Sequence, residues 1–163
     1  MSDKLLLLQA SAAIQAAADE GKTPQVQILA YAGGIMRVPF WGDVAIDLKA
    51  LDTSGQVPIL VDHDPTLRGI AGHGAAAVEQ NQLVVRGTIP PVSDAGRQVV
   101  ELAKAGFQWQ ASVGVEPQKT ERLEAGAKAT LNGKTIQAAR GPVTIIRRGK
   151  FEGNLPGRPG GRR

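Results

Sequence analysis

One histidine and one serine, each in a short apolar stretch, could together carry out chemistry. His63 follows the segment PILVD (residues 58–62), and Ser112 lies in the alternating segment WQASVG (residues 109–114). A serine hydroxyl attacks a carbonyl carbon efficiently only when a neighbouring base, commonly an imidazole, removes its proton. Residues 58–61 favour a short buried strand, which would hold His63 at the end of a rigid element facing a cleft. The pair therefore indicates acyl transfer by a serine nucleophile.

The same residues also have a purely structural interpretation. A serine within a strand is often a satisfied polar residue, and a histidine after a strand is often a loop residue. The chain contains two histidines, so His73 is the other candidate for the base. His73 lies between Gly72 and Gly74, which favour a tight bend, and we assign no chemistry to it.

The composition excludes several kinds of site. The chain has 163 residues and no cysteine, which removes disulfides, thiolate catalysis and cysteine metal ligands together. With two histidines, a metal site would have to rest mainly on carboxylates, so we expect neither a metal nor another cofactor. No apolar run is long enough to span a bilayer, so we expect no membrane partner. The length suits one domain with its own core.

Three regions follow from the distribution of apolar, turn-forming and basic residues. Residues 1–24 combine four consecutive leucines with an alanine-rich stretch, and we expect a short helix or a loosely ordered leader rather than a signal peptide. The folded domain is expected over residues 25–151. Residues 152–163 form a basic tail rich in glycine, proline and arginine, which we expect to be disordered.

The pattern within the folded domain predicts roughly six to eight short strands and one or two helices. Hairpin turns are expected at residues 80–81 and at the Asn-Gly pair of residues 132–133. Residues 93–105 favour a helix, with a serine as its N-cap. Residues 116–128 are polar and are expected to form a long loop. These elements fit a β-rich α+β domain built as a small barrel with flanking helices.

Positive charge is concentrated at the C-terminal end. The chain has a net charge of +4, but residues 140–163 hold seven basic residues against a single acid. Such a tail can attract nucleic acid through phosphate contacts. No aromatic residue is interleaved among the arginines of residues 152–163 to stack on bases, so we favour a solvated tail. A basic nucleic-acid-binding module is the weakest functional interpretation.

Three segments carry a family resemblance, namely LVDHDPTLRGIAGHG (residues 60–74), QLVVRGTI (residues 82–89) and WQASVGVEP (residues 109–117). Together they resemble the prohead proteases of tailed phages, in particular the Mu-like protease and scaffold proteins. Those proteins are related in fold to the herpesvirus assemblin proteases. The resemblance covers residues 25–151 and implies a β-rich small barrel of the herpesvirus-protease type with one or two flanking helices.

The resemblance implies a serine endopeptidase of capsid maturation. Ser112 would be the nucleophile, and His63 would be the general base that later protonates the leaving amine. The substrates would be the phage scaffold and the major capsid protein, cut inside the prohead in the host cytoplasm. Nucleic acid is not expected as a partner, and self-association into a homo-oligomer is left open. Gly114 and the loop around Arg147 and Arg148 are candidates for the oxyanion hole.

The end of the chain departs from the family pattern. The family implies a further strand with the motif E-[IV]-S-[LV]-V and a turn such as GAD, carrying an acid that orients the histidine. After Phe151 this chain reads EGNLPGRPGGRR, in which Glu152 is the one acid and the expected motif is absent. Codons for residues 152–162 read one nucleotide later can encode REISLVGLGAD, so we expect a frameshift that impairs activity. The alternative is a catalytically inactive capsid-assembly or scaffold protein that keeps the protease fold.

Overall fold

The computed structural model describes residues 6–15, 23–61 and 66–153. These residues form twelve strands, one α-helix and a 3-10 turn at Leu48–Ala50. In chain order the elements are β1 (Leu6–Gln15), β2 (Gln25–Tyr31), β3 (Met36–Val38), β4 (Gly42–Ile46), β5 (Leu51–Asp52), β6 (Val57–Leu60), β7 (Ile70–Glu79), β8 (Gln82–Thr88), α1 (Asp94–Lys104), β9 (Trp109–Leu123), β10 (Lys128–Leu131), β11 (Lys134–Gln137) and β12 (Val143–Gly153).

Ten of these strands form one mixed sheet. Its order is β3-β4-β12-β9-β1-β2-β8-β7-β6, and β5 pairs with β12 outside this path. Strand β12 runs parallel to β4 and β5, whereas the other neighbours in the sheet are antiparallel. Strands β10 and β11 form a separate hairpin.

The described part of the sheet does not close into a barrel. Strands β3 and β6 stand at the two ends of the strand order, and no pairing joins them. The prediction of a β-rich domain with a flanking helix agrees with this architecture, but the predicted closed barrel is wrong for the described residues. Sheet closure requires every edge to find a partner, and a sequence pattern does not show which edges do so.

Strand β1 corrects the expectation of a loosely ordered leader. It lies in the middle of the sheet, between β9 and β2. Leu6 and Leu8 are almost fully buried, whereas Leu7 between them is 44% exposed. The run of leucines and the small size of the alanines after it hide this alternation in the sequence. The folded domain therefore begins inside the predicted leader, while residues 1–5 and 16–22 lie outside the described part of the chain.

Strand β12 extends the domain at its other end. The strand has eleven residues and continues past Phe151 through Glu152 to Gly153. The expected disorder of the remaining tail, residues 154–163, lies outside the described residues.

Two apolar clusters form the core. The larger one includes Leu6 from β1, Leu83 from β8 and Val115 from β9, all fully buried. Burying one such side chain contributes about 1.5–3 kcal/mol to the free energy of folding. The smaller cluster joins Ala45 of β4 and Ile145 of β12 to the hairpin β10–β11. The hairpin thus covers the sheet beside β12.

The turn of the β10–β11 hairpin is also a buried polar junction. The predicted Asn-Gly turn is confirmed, with φ values of 55° at Asn132 and 76° at Gly133. The side-chain Oδ1 of Asn132 accepts a hydrogen bond from the Leu48 N–H at 2.9 Å. Its Nδ2 donates to the carbonyls of Gly33 at 2.9 Å and Ile46 at 2.7 Å. One side chain therefore fixes the hairpin to two loops of the main sheet.

Tyr31 completes the same junction. Its hydroxyl accepts a hydrogen bond from the Ile46 N–H at 3.0 Å and donates to the Gly34 carbonyl at 2.5 Å. Burial raises the pKa of Tyr31 to about 12, because the phenolate would lose its hydration.

The expected bend around His73 is wrong. Strand β7 continues through this position, and the flanking glycines serve a different purpose. A Cβ atom on Gly74 would lie 2.9 Å from the Cα of Gly87 and still closer to the Arg86 carbonyl. These glycines allow β7 and β8 to approach closely, which a side chain would prevent.

Helix α1 agrees with its prediction. The Ser93 hydroxyl accepts from the Gly96 N–H at 3.0 Å and donates to the Ile70 carbonyl at 2.9 Å, so the cap also ties the helix to β7. The helix buries Val99 against the core and ends before Gly106, whose φ is 97°. No helix in the described ranges is long and apolar enough to cross a membrane.

Candidate active site

Ser112 lies near the start of β9, directly opposite Gln9 of β1. Its neighbours Ala111 and Val113 pack against the large core cluster, so the Ser112 side chain projects from the other face of the sheet. Ser112 is half-buried, and no hydrogen bond among the described residues engages its hydroxyl. The oxygen is therefore open to a base or a substrate from the outer face.

The two edges of β9 differ beside Ser112. Strand β1 covers one edge over all of residues 109–115. On the other edge β12 pairs only as far as Gly114, which faces Gly153. In the described part of the chain no strand pairs with residues 109–113 on that side. Among the described residues this stretch is therefore an open strand edge, with N–H and C=O groups directed outward from the sheet.

A cavity of about 280 Å³ lies between Ser112 and the end of β6. Both faces of β9 line it, with Ala111 on the core side and Ser112 on the other. Because β1 covers the opposite edge of β9, a cavity touching both faces must reach round the uncovered edge. Residues 59–61 also line this cavity, and they are the last described residues before the segment that contains His63.

The predicted base, His63, lies outside the described residues. The structure therefore places the nucleophile but not the imidazole, and their pairing stays a prediction. Covalent geometry sets one limit, because two residues of extended chain span at most about 7 Å. Val61 lines the cavity beside Ser112.

His73 lies elsewhere. It is exposed on β7, opposite Pro58 of β6, and its Nδ1 is 3.2 Å from the Nε2 of Gln56. It lines a second, more apolar cavity of about 590 Å³, together with Val92. The residues that line the Ser112 cavity do not include His73. This separation agrees with leaving His73 without a chemical role.

The structure contradicts both candidates for the oxyanion hole. Gly114 is buried, with Leu7 facing it across one edge and Gly153 across the other, so paired strands surround its backbone. Arg148 is in the interior of β12, opposite Lys119. Lys119 is seven positions along β9 from Ser112, a separation of about 23 Å at the usual rise of a strand. The expected loop at this position is a strand.

Arg147 instead forms ion pairs with two acidic residues of the fold. Its Nε donates to Glu121 Oε1 at 2.6 Å, and its Nη1 donates to Asp47 Oδ2 at 3.2 Å. The hydrogen bond with Glu121 is the main cause of a raised pKa at Arg147. The guanidinium joins β9 to the segment after β4. Glu121 itself shows that residues 116–123, expected in a long loop, continue strand β9.

Sequence reasoning missed Gln9 and the uncovered edge of β9. Gln9 faces Ser112 across the strand pair but belongs to the segment expected to be a loose leader. The sequence gives no clear signal for it, because the run of leucines and the small alanines hide the alternation by which Leu6, Leu8 and Ile14 pack against the core. The described residues contain no group of three or more potential metal ligands.

Comparison with known proteins adds no relative. No family model matches this chain, no curated protein matches it, and no solved structure matches its fold.

Proposed function

We propose that this protein is a serine endopeptidase of phage prohead maturation, with Ser112 as the nucleophile and His63 as the general base. The observation that carries the proposal is the cavity that both Ser112 and residues 59–61 line. The strand that leads to His63 and the strand that holds Ser112 thus stand on the same small opening. The relation to the herpesvirus-type fold is part of this proposal.

The chemistry would follow the usual order of acyl transfer. His63 takes the proton from the Ser112 hydroxyl as the oxygen attacks the carbonyl carbon of a peptide bond, and then gives it to the leaving amine. Water repeats the sequence on the acyl-enzyme. The outward projection of Ser112 supports a polypeptide substrate, because a large chain can reach the outer face of a sheet but not its core.

The substrates would be segments of the scaffold and of the major capsid protein. Cleavage would occur inside the immature shell, in the host cytoplasm. These assignments rest on the three segments that resemble prohead proteases.

A fluorophosphonate probe tests the activity, because it labels an activated serine and not merely an exposed one. We expect labelling of the native chain, and loss of labelling in Ser112→Ala and in His63→Ala. Ser54→Ala is the matched control, since Ser54 is exposed and its hydroxyl bonds only Asp52. Labelling that survives in Ser112→Ala, or that Ser54→Ala removes, would overturn the assignment of the nucleophile.

A second candidate is a catalytically inactive assembly or scaffold protein with the same fold. The sequence after Phe151 favours it, because Glu152, the one acid there, is followed by Gly-Asn-Leu-Pro and not by the rest of the expected motif. A folded native chain that the probe does not label, but that binds scaffold or capsid protein, would support this candidate over the protease.

A further inference from the structure

The turn between β10 and β11 has a sequence at which asparagine is chemically unstable. Asn132 is followed by Gly133, and the strands on either side begin to pair at Leu131 and Lys134. Asparagine is among the thermolabile residues, because the backbone nitrogen of the next residue can attack its side-chain carbonyl carbon. Glycine in that next position favours the attack, since it has no side chain to hinder the approach and its backbone rotates freely. The pair is therefore a candidate for spontaneous deamidation.

The reaction needs only water and this chain. The backbone nitrogen of Gly133 loses its proton and bonds to Cγ of Asn132. The bond from Cγ to Nδ2 breaks, and Nδ2 leaves as ammonia with the proton, so that a cyclic succinimide remains. Water then opens the ring at one of its two carbonyl carbons. Opening at Cγ gives aspartate, and opening at the main-chain carbonyl carbon gives isoaspartate, so an amide is exchanged for a carboxylate at this turn.

The folded structure holds the Asn132 carboxamide out of this reaction. Its Oδ1 accepts from the Leu48 N–H at 2.9 Å, and its Nδ2 donates to the carbonyls of Gly33 at 2.9 Å and Ile46 at 2.7 Å. The residue is also only 5% exposed. Attack by Gly133 requires the carboxamide to leave these bonds, and water must then reach a buried site. The junction therefore suppresses deamidation in the folded state.

The hairpin that carries the turn can separate from the rest of the fold by itself. Among the described strands, β10 and β11 pair only with each other, so their release breaks no strand pairing of the main sheet. The hairpin packs through the smaller apolar cluster, to which it contributes Leu131 and Ile136. Near the turn, Lys134 Nζ adds one hydrogen bond to the Ala32 carbonyl at 3.4 Å. A unit held by so few contacts opens more often than the whole protein unfolds.

We propose that Asn132–Gly133 is a deamidation site that the buried junction protects and that local opening of the β10–β11 hairpin exposes. The product cannot rebuild the junction, because a carboxylate only accepts hydrogen bonds and the carbonyls of Gly33 and Ile46 would face it without a donor. Burying an ionised carboxylate in place of a neutral amide adds a further cost. Each conversion therefore detaches the hairpin and uncovers Ala45 and Ile145, which are fully buried in the intact protein.

Peptide mass spectrometry of the full chain, incubated at mildly alkaline pH, measures the conversion at each asparagine. Because only the opened fraction reacts, conversion at Asn132 should be slower in the folded protein than in urea by a factor of about ten or more. Asn81 is the internal control, since it also has a positive φ, of 63°, and is exposed, but Gln82 follows it. It should convert much more slowly than Asn132 in urea.

Three outcomes of this measurement would overturn the proposal. The first is an equal rate at Asn132 in the folded and the unfolded chain, which would mean that the junction gives no protection. The second is the absence of conversion at Asn132 in urea. The third is conversion at Asn81 as fast as at Asn132 in urea, which would mean that Gly133 does not promote the reaction.

Two variants separate local opening from global unfolding. Tyr31→Phe removes a hydroxyl that bonds the Ile46 N–H and the Gly34 carbonyl in the same junction, so it should raise conversion in the folded state about ten-fold. Leu8→Ala weakens the larger apolar cluster and should leave that rate within a few-fold of the native value. A folded Tyr31→Phe protein that converts no faster than the native chain, or a Leu8→Ala protein that converts as fast as Tyr31→Phe, would overturn gating by the hairpin. The comparison of the native chain with and without urea decides the proposal even where Tyr31→Phe does not fold.

Discussion

At the scale of residues, the proposed chemistry depends on the Ser112 hydroxyl oxygen, which lies on the outer face of the sheet, and on His63, which follows β6 in the chain. Because the two would act in one proton transfer, Ser112→Ala and His63→Ala should each lower kcat by a factor on the order of 10⁴ to 10⁶. The double change should be little worse than either single one. Turnover of a peptide from the scaffold or capsid protein measures this.

His73→Gln is the control for the base. His73 lines a different cavity from Ser112, so this change should leave turnover within a few-fold of the native value. Additive losses from Ser112→Ala and His63→Ala, or complete loss in a folded His73→Gln protein, would contradict the assignment.

Asn132 should matter more for stability than its position in a turn suggests. Asn132→Ala leaves the Leu48 N–H and two carbonyls without their buried partner, so the free energy of unfolding should fall by about 3 kcal/mol. Asn81→Ala is the matched control, because Asn81 also has a positive φ, of 63°, but is exposed. Equal losses in urea unfolding would show that backbone strain, and not the hydrogen bonds, explains the effect.

The raised pKa of Tyr31 predicts that the protein loses stability at alkaline pH. Its pKa is raised to about 12 in the folded protein, above the ordinary tyrosine value of 10.0, so the neutral form is the one that folding favours. The corresponding stability is complete below pH 10 and is lost as the pH rises toward 12. Tyr31 is the single tyrosine of the chain, so phenolate absorbance reports it directly. Titration near 10 in the folded protein would contradict the burial.

At the scale of elements, β1 provides the clearest experiment. Leu8 is 3% exposed in the core, whereas Leu7 is 44% exposed on the other face of the same strand. Leu8→Ala should lower the free energy of unfolding by about 2–5 kcal/mol, and Leu7→Ala should change it much less. Urea unfolding measures both. Equal small effects would mean that residues 6–15 do not pack as a central strand.

The same elements show what the sequence could predict. The turns at residues 80–81 and 132–133, and the helix after Ser93, were predictable because local residue types determine them. Strand β1 was not, because its partner strand β9, with Val115 opposite Leu6, is distant in sequence and its alanines give a weak alternation. The polar second half of β9 was mistaken for a loop, since β12 and not its own pattern holds it extended.

At the scale of the whole molecule, the sequence after Phe151 gives a prediction about the gene. We expect the codons after Phe151 to spell an E-[IV]-S motif when read one nucleotide later. Sequencing the gene decides this, and codons that cannot encode the motif would remove the frameshift explanation. The candidate site was predictable only in part. The local pattern predicts that Ser112 lies in a strand, but it does not predict which other strands line the cavity beside it.

The position of β1 also governs when the molecule can fold. Leu6 of β1 pairs with Val115 of β9, about a hundred residues later in the chain. Strand β12, which follows later still, then pairs with the other edge of β9. During synthesis the first strand must wait for β9 to leave the ribosome before its second edge is covered. Such distant pairings make folding slow, on the order of milliseconds to seconds, because a long loop must close before any contact repays its entropy. Until then the apolar strand β1 is exposed, and nascent chains of this protein should depend on chaperones that bind extended apolar segments.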